Sequence, residues 1–171
     1  ELFEQLNGKE VSYNNLLDIE AGLSLIREFE QPALAILKHN NACGVALRDH
    51  QLKAWELALE ADPTSAFGGV IVANRPITEE TAQEINKIFF EVIIAPGYEK
   101  NSLDILKQKK NRIVLYLKSD SYSKVQYRSL LNGVLVQTRD LIQESFDTFR
   151  IVSGKLGATS NNLTLCLPIR L

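Results

Sequence analysis

The stretch GGVIVANRPITEETAQEINKIFFEVIIAPG, residues 68–97, decides the predicted fold. It holds two short apolar runs, Val70-Ile71-Val72-Ala73 and Val92-Ile93-Ile94-Ala95, and neither alternates with polar residues, which is typical of strands buried on both faces of a sheet. Between them, Thr78 can cap a helix that runs to about Ile88 and places two glutamates in its first turn, where the helix dipole favours them. Pro96-Gly97 stops the second run. The stretch therefore predicts a strand–helix–strand unit.

Two helices and one strand are predicted on the amino-terminal side of this unit. The first helix begins after Ser12 as its cap, and its apolar face carries Leu16, Ile19, Leu23 and Ile26. After the break at Pro32, the continuous apolar run of residues 33–37 predicts another buried strand. A polar stretch follows over residues 38–44. Asp49 can then cap a second helix that ends at Asp62-Pro63.

The carboxyl-terminal side continues the alternation. Asn101 begins a short helix, residues 112–117 predict a fourth strand, and residues 130–137 predict a fifth with Asn132-Gly133 as a turn or bulge inside it. Because helices alternate with strands rich in Val, Ile and Leu, the expected fold is α/β, a mainly parallel or mixed sheet with helices on both faces. The segment after Arg150 is polar and small, which predicts a loop or a poorly ordered tail.

Length and composition fit one globular domain or a domain fragment. The chain has 171 residues, 45% hydrophobic and 23% charged, with a net charge of −2, so no nucleic-acid footprint is indicated. No apolar run approaches the ~20 residues that cross a bilayer, and no signal peptide opens the sequence. Cys43 and Cys166 are far apart without a CxxC or His/Cys cluster, so we expect no metal site and reduced thiols in the cytoplasm. Because the first residue is Glu1 rather than Met, we expect an excised or incomplete segment.

Lys38-His39 is the sharpest chemical signal. The pair lies in residues 38–41, one of three polar segments beside predicted strands; the others are residues 65–69, before a strand, and residues 95–97, after one. A histidine can accept a proton near neutral pH, and an adjacent ammonium can stabilise an oxyanion. The residues alone leave open a plainer interpretation, an exposed lysine beside a hydrogen-bonded loop histidine.

The other candidate binding or catalytic residues also have simpler, purely structural interpretations. Residues 65–69 could bring backbone N–H groups to an anion, because glycine has no Cβ in the way, or form an ordinary turn. Glu91 could accept hydrogen bonds from a ligand or be a surface carboxylate. Asn14-Asn15 could donate to a ligand or start a helix. Cys43 could be a nucleophile, although no group beyond the neighbouring lysine–histidine pair would lower its pKa.

Five short sequence motifs of this chain occur in the same order as in one protein family. They are GKEVSYNNLLD (8–18), KHNNACGVA (38–46), DPTSAFGG (62–69), EVIIAP (91–96) and LLNGVLVQ (130–137). They are similar to the GKELSYNNLLD, KHTNPCGVA, DPVSAFGG, EVIIAP and LLGGVLVQ stretches of one family. The chain thus resembles the AICAR transformylase region of bifunctional purine-synthesis enzymes over about residues 8 to 140, and five strings in order are far more specific than any one.

The resemblance implies a fold, a reaction and partners. The fold is a cytidine-deaminase-like three-layer sheet without zinc, as a partial domain: residues 1–147 are the first subdomain of the transformylase region, and residues 148–171 are a divergent or poorly ordered tail. The reaction transfers a formyl group from 10-formyltetrahydrofolate to the 5-amino group of AICAR in de novo IMP biosynthesis. The parent protein is expected to be a homodimer and also an IMP cyclohydrolase. No metal, nucleic acid or membrane is implied.

Site residues carry over position by position. Lys38 and His39 match the family's catalytic pair, the histidine as proposed base for the AICAR amine and the lysine as stabiliser of charge at the formyl oxygen. Four further residues match positions that contact AICAR: Asn15, Phe67, Gly68 and Glu91. Ala42 and Asn132 replace a proline and a glycine of the family pattern. Ser160-Asn161 has a superficial likeness to the family's second-subdomain asparagine motif and is not carried over.

Two other interpretations stay open. A catalytically incomplete fragment, acting only as a nucleotide-binding or dimerisation module, fits a sequence that holds neither the family's second subdomain nor its RYGENPHQ-like phosphate-contacting segment. A zinc-dependent deaminase has a related fold, but its chemistry uses an H-x-E and P-C-x-x-C pattern. Here residues 39–41 contain no glutamate, and Cys43 has no cysteine three residues away.

Overall fold

The computed structural model of this protein describes residues 2–119 and 123–142. The chain divides into two compact units, Glu1–Ser121 and Tyr122–Leu171. The predicted tail at residues 148–171, the predicted boundary at residue 147, Ser160-Asn161 and Cys166 all lie outside the described residues, so these stay predictions.

The first unit is built on one mixed sheet. Its strands and helices are, in chain order, β1 (Phe3–Asn7), α1 (Tyr13–Ile26), β2 (Ala33–Lys38), β3 (Asn41–Leu47), α2 (Gln51–Ala61), α3 (Pro63–Ala66), β4 (Val70–Ala73), α4 (Glu79–Ile85), β5 (Val92–Ala95), α5 (Lys100–Leu106) and β6 (Ile113–Leu117). The strand order of the six-stranded sheet is β1-β6-β5-β4-β2-β3. β4, β5 and β6 are parallel, whereas β1 pairs antiparallel with β6 and β2 pairs antiparallel with both β3 and β4. The predicted α/β fold with a mixed sheet is confirmed.

Helices cover both faces of the sheet. Side chains alternate along a strand, so Leu34 and Ile36 of β2 face one way and Leu37 the other. Leu34 and Ile36 join a core cluster with Trp55 and with residues of α3, α4 and α5. On the opposite face, α1 packs so closely that a Cβ built on Gly22 would lie 2.9 Å from Leu37 Cδ1. The continuous apolar runs of the sequence are therefore the doubly covered central strands.

Two of the three predicted helix caps are confirmed. The Ser12 side chain accepts a hydrogen bond from the Asn15 backbone at the start of α1, and Thr78 caps α4 in the same way. The prediction of Asp49 as a cap is wrong, because α2 follows His50, whose side chain makes no cap bond. Two tertiary bonds of Gln51 fix that helix start instead: its amide donates to the Pro76 carbonyl and accepts from the Thr78 N–H.

The bounds of α4 and α5 and the burial of one residue on α1 also differ from the sequence predictions. α4 ends at Ile85, shorter than the predicted limit near Ile88, and α5 begins at Lys100. On α1, the predicted apolar face is buried except for Leu16, which is 40% exposed. Among the described residues, none of the helices is both long and apolar enough to cross a membrane.

The described part of the second unit is a hairpin. It consists of β7 (Val125–Leu130) and β8 (Gly133–Thr138), paired antiparallel. Leu131, with a backbone φ of 53°, and Asn132 form the turn between them. The predicted fifth strand at 130–137 is thus the end of β7, a turn and most of β8. Of the two alternatives for Asn132-Gly133, the turn is correct, shifted by one residue.

Gly44 of β3 provides a test of how closely α2 packs on the sheet. A Cβ at this position would lie 1.9 Å from the Ala58 carbonyl oxygen of α2, so Gly44→Ala must push the helix away. We expect the free energy of unfolding to fall by at least about 2 kcal/mol, as overpacking against backbone does. The measurement is urea unfolding followed by the fluorescence of Trp55, the single tryptophan of the chain.

Gly133→Ala is the matched control, because the nearest atom to its added Cβ is the Leu130 carbonyl oxygen at 3.8 Å. We expect it to leave the Trp55 transition unchanged. An unaltered urea midpoint in Gly44→Ala would contradict the packing of α2 on β3.

Candidate functional site

The reversed direction of β2 assembles the site. In the antiparallel pairing of β2 with β4, Leu37 lies opposite Val70, and in the parallel pairing of β4 with β5, Val70 lies opposite Val92. The carboxyl end of β2 therefore meets the amino ends of β4 and β5. This edge brings together the segments at residues 38–41 and 65–69 and Glu91. Residues 95–97, the third polar segment, end β5 at the other edge of the sheet.

A hydrogen bond connects Lys38 to the turn before β4. Its Nζ donates to the Phe67 backbone carbonyl over 2.8 Å. Phe67 ends α3 in an extended conformation, and Gly68 follows with a φ of 75°, a left-handed conformation that glycine adopts without a steric penalty. An ammonium has three N–H donors, so the Phe67 carbonyl occupies one and fixes the direction of the group.

His39 lies in a tight turn that the sequence interpretation missed. The predicted polar stretch at 38–44 contains the start of β3, and only His39 and Asn40 separate β2 from β3. Their φ values are 54° and 64°, as the type I′ hairpin turn requires at both central positions. His and Asn are among the non-glycine residues that tolerate this conformation. The sequence signal for this turn was the pair His39-Asn40 directly after the apolar run of β2.

Asp18 of α1 holds this turn from outside. Its Oδ1 accepts a hydrogen bond from the Asn40 backbone N–H at 2.6 Å. Within the turn, the Asn41 side-chain amide donates to the His39 carbonyl over 3.0 Å. A hydrogen bond from a backbone amide to a carboxylate is short and strong. Asp18 thus contacts the backbone of the turn that carries His39, although it lies 22 positions before Asn40 in the sequence.

Asn15 and Glu91 form the second half of the site. Asn15 is 5% exposed, and its Oδ1 accepts from the Ser12 N–H at 3.2 Å and from Ser12 Oγ at 2.8 Å. Those two donors fix the orientation of the amide, which donates from Nδ2 to Glu91 Oε2 over 3.0 Å. Glu91 also donates its backbone N–H to the Gly69 carbonyl. The carboxylate is thereby fixed next to the glycine turn.

An exposed aromatic pair borders the glycine turn. The rings of Phe67 and Phe89 lie 5.4 Å apart at 49°, and the side chains are 60% and 41% exposed. The Gly68 N–H donates to the Phe89 carbonyl over 2.8 Å. Sequence reasoning missed Phe89; the available signal was the Phe89-Phe90 doublet before β5, in which Phe90 is buried in the core. Exposed rings here offer a flat ligand a stacking surface.

Lys38 and His39 line a concave surface together with Cys43, Asp62 and Ser65, and with Asn41 and Ala42. Asp62 caps α3, where it accepts from Ser65 Oγ at 2.5 Å and from the Ser65 N–H at 2.9 Å. The Ser65 hydroxyl, the backbone bonds and the nearby Lys38 charge lower the pKa of the Asp62 carboxyl. The surface thus holds one carboxylate beside one ammonium.

The setting of Cys43 opposes its interpretation as a nucleophile. Burial, and then the Asp62 charge, raise the pKa of the Cys43 thiol, and together they outweigh the lowering effect of Lys38. Reactive cysteines have a depressed pKa, so Cys43 lacks the electrostatic setting of one. Across residues 2–119 and 123–142, no group of three or more His, Cys, Asp or Glu side chains is placed to hold a metal ion.

All six predicted site residues lie at this edge. Direct bonds connect Lys38 to Phe67 and Asn15 to Glu91, and the backbone bond of Glu91 to Gly69 joins the two halves next to Gly68. His39 follows Lys38 and lines the same concave surface.

Comparison with known proteins agrees with the five sequence strings. Residues 1–168 match the family described as the AICARFT/IMPCHase bienzyme. The chain belongs to this family. It is 56% identical over 154 residues to the bifunctional purine biosynthesis protein PurH of Bacteroides thetaiotaomicron, covering 90% of this chain and 30% of that protein. The PurH proteins of Lactococcus lactis subsp. cremoris MG1363 and Thermoanaerobacter sp. X514 are 48% and 42% identical, over 82% and 89% of this chain.

The chain spans 28–30% of the length of these curated relatives. The family match over residues 1–168 and the identities to the PurH proteins confirm the resemblance to the family.

Thiol alkylation tests the electrostatics of the concave surface. In a Cys166→Ser variant, Cys43 is expected to react with iodoacetamide at pH 8 more slowly than an unhindered model thiol, because its raised pKa leaves less thiolate. Asp62→Asn removes a negative charge that disfavours the thiolate, so we expect alkylation to become about two- to fivefold faster.

Asp104→Asn, on the exposed side of α5, is the control and should leave the alkylation rate unchanged. A rate that falls or does not change in Asp62→Asn would show that the Asp62 charge does not act on Cys43.

Proposed function

We propose that this chain is the first cytidine-deaminase-like subdomain of an AICAR transformylase. In the longer parent protein it supplies residues that transfer a formyl group from 10-formyltetrahydrofolate to the 5-amino group of AICAR during IMP biosynthesis. One observation carries the proposal: Lys38 and His39 lie at the same sheet edge as the Phe67-Gly68 turn and the Asn15–Glu91 pair. Family membership and the purine-biosynthesis names of the relatives support it.

In this proposal His39 is the base. The AICAR amine is a poor nucleophile because its lone pair is conjugated with the imidazole carboxamide, so removing its proton assists attack. The amine nitrogen bonds to the formyl carbon, and the bond from that carbon to N10 of the folate breaks. The amine proton passes to the His39 imidazole and from there to the departing N10. His39 is exposed and lines the concave surface, so a ligand bound there can present its amine to the imidazole.

Lys38 stabilises the charge that develops on the formyl oxygen. Its ammonium is already oriented by the Phe67 carbonyl, and the N–H groups left over can donate to an oxyanion. Because that orientation exists before substrate binds, little reorganisation is needed at the moment of reaction.

Asn15, Glu91, Phe67 and Gly68 are the proposed binding residues for AICAR. The Glu91 carboxylate uses one oxygen for Asn15 and retains lone pairs for an N–H or O–H of the ligand. The exposed Phe67 ring can stack on a planar heterocycle. Gly68 presents no Cβ, so a ligand can approach the backbone closely.

The proposal extends to the parent protein. There we propose an accompanying IMP cyclohydrolase activity, a homodimer and a cytoplasmic location. 10-Formyltetrahydrofolate acts as formyl donor, and no metal takes part.

Substitution of His39 and Lys38 in the full-length parent tests the function. We expect His39→Ala and Lys38→Ala each to lower kcat for formyl transfer by about 10²- to 10⁴-fold, the usual range for a positioned acid–base or oxyanion group. AICAR affinity, measured by calorimetry, should change little, because Asn15, Phe67 and Glu91 remain.

The chain offers matched controls. His50 is the other of its two histidines and Lys53 pairs with Glu56 on the exposed side of α2; His50→Ala and Lys53→Ala should retain parental kcat. Parental kcat in His39→Ala would refute the catalytic role of His39.

A second candidate function is a non-catalytic module that binds a nucleotide or pairs with another chain. The exposed rings of Phe67 and Phe89 beside the glycine turn support it, because they can stack on a planar ligand without any reaction. The parent variants separate the two: loss of kcat in His39→Ala and Lys38→Ala favours the enzyme. Parental kcat in both variants, together with AICAR binding by the 171-residue chain in calorimetry, favours the module.

A further inference from the structure

The turn that carries His39 is held in an unfavourable backbone conformation. His39 and Asn40 both have positive φ values, 54° and 64°, and neither is glycine. A Cβ makes left-handed backbone unfavourable, so such residues persist only where surrounding contacts determine them. The turn therefore needs a contact that keeps it in place.

Asp18 supplies that contact from a rigid helix. Its Oδ1 accepts the Asn40 N–H at 2.6 Å. The helix around Asp18 is anchored on the sheet: Ile19 and Leu23 are 2% and 1% exposed, and Gly22 lies against Val72. A carboxylate on so well packed a helix is a fixed acceptor.

The same helix turn reaches both halves of the site. Asn15 and Asp18 are three residues apart, so they lie on one face of α1. Asn15 bonds to Glu91 and Asp18 bonds to Asn40. α1 thereby sets the spacing between the proposed substrate-binding carboxylate and the turn of the proposed base.

We propose that Asp18 is a positioning residue for His39: its carboxylate holds the Asn40 amide, and so keeps the His39–Asn40 turn left-handed and the imidazole on the concave surface with Lys38. This inference rests on the formyl-transfer function proposed above. It assigns Asp18 no contact with substrate. Its effect should therefore appear in kcat more than in KM for AICAR.

The test uses Asp18→Ala and Asn40→Gly in the full-length parent, singly and together. Asp18→Ala should lower kcat by about 10- to 100-fold, as small misplacements of catalytic groups do, with KM for AICAR within about threefold of the parent. Glycine adopts positive φ freely and favours the second position of a type I′ turn. The double variant should therefore regain at least about fivefold in kcat over Asp18→Ala.

A purely structural role of Asp18 would not produce that rescue. Equal kcat in Asp18→Ala and in the double variant overturns the proposal, as does parental kcat in Asp18→Ala. If Asp18→Ala does not fold, near-isosteric Asp18→Leu replaces it in the same comparison and is judged by the same outcomes. Asp104→Ala, exposed on α5, is the control and should match the parent.

A direct readout of the turn separates this inference from the formyl-transfer function. In the isolated chain, the Asn40 amide proton should resonate downfield and exchange slowly in NMR spectra, because it is bonded to a carboxylate. Asp18→Leu should abolish both properties; their persistence overturns the inference whatever the enzyme assays show. Loss of the properties together with parental kcat in His39→Ala overturns the formyl-transfer proposal instead.

Discussion

The antiparallel pairing of β2 with β4 is the constraint on which the site depends. β4, β5 and β6 are parallel, and ligands of parallel sheets usually bind beyond the carboxyl ends of the strands. Because β2 is reversed, its carboxyl end lies beside the amino ends of β4 and β5. A parallel β2 would carry Lys38 and His39 to the opposite edge, a strand length away from Gly68 and Glu91. The direction of one strand thus determines which polar segments meet.

That direction follows from contacts that local sequence reasoning does not capture. Residues 33–37 were recognisable as a buried strand because all five are apolar, and the same holds for β4 and β5. The partners and direction of a strand depend on pairings distant in sequence and on the two-residue turn at His39 and Asn40. β3 was missed because it begins with Asn41, a polar residue, and continues through small residues. β1, an edge strand, alternates too weakly to be recognised.

The candidate site was predictable in its members but not in its arrangement. Lys38 and His39 stood out by their chemistry, whereas Phe67 and Gly68 gained weight only from the resemblance to the family. Asp18 and Phe89 were missed for physical reasons. An aspartate on a helix resembles any solvated carboxylate until the Asn40 amide is seen 2.6 Å from it. A phenylalanine doublet before a buried strand is expected to lie in the core, but the structure leaves Phe89 41% exposed.

The exposure of the site residues bears on how the proposed chemistry works. The imidazole of His39 faces solvent and the Phe67 ring is 60% exposed. Oriented donors such as the Lys38 ammonium stabilise a developing charge far better where water is excluded, since bulk water screens them. The proposed formyl transfer at this edge therefore requires a further surface over these residues. The relatives, of which this chain spans 28–30%, are long enough to provide one. Under the proposed function, the sheet edge holds the groups assigned to the reaction, and exclusion of water by a covering surface strengthens their electrostatic effect on the transition state.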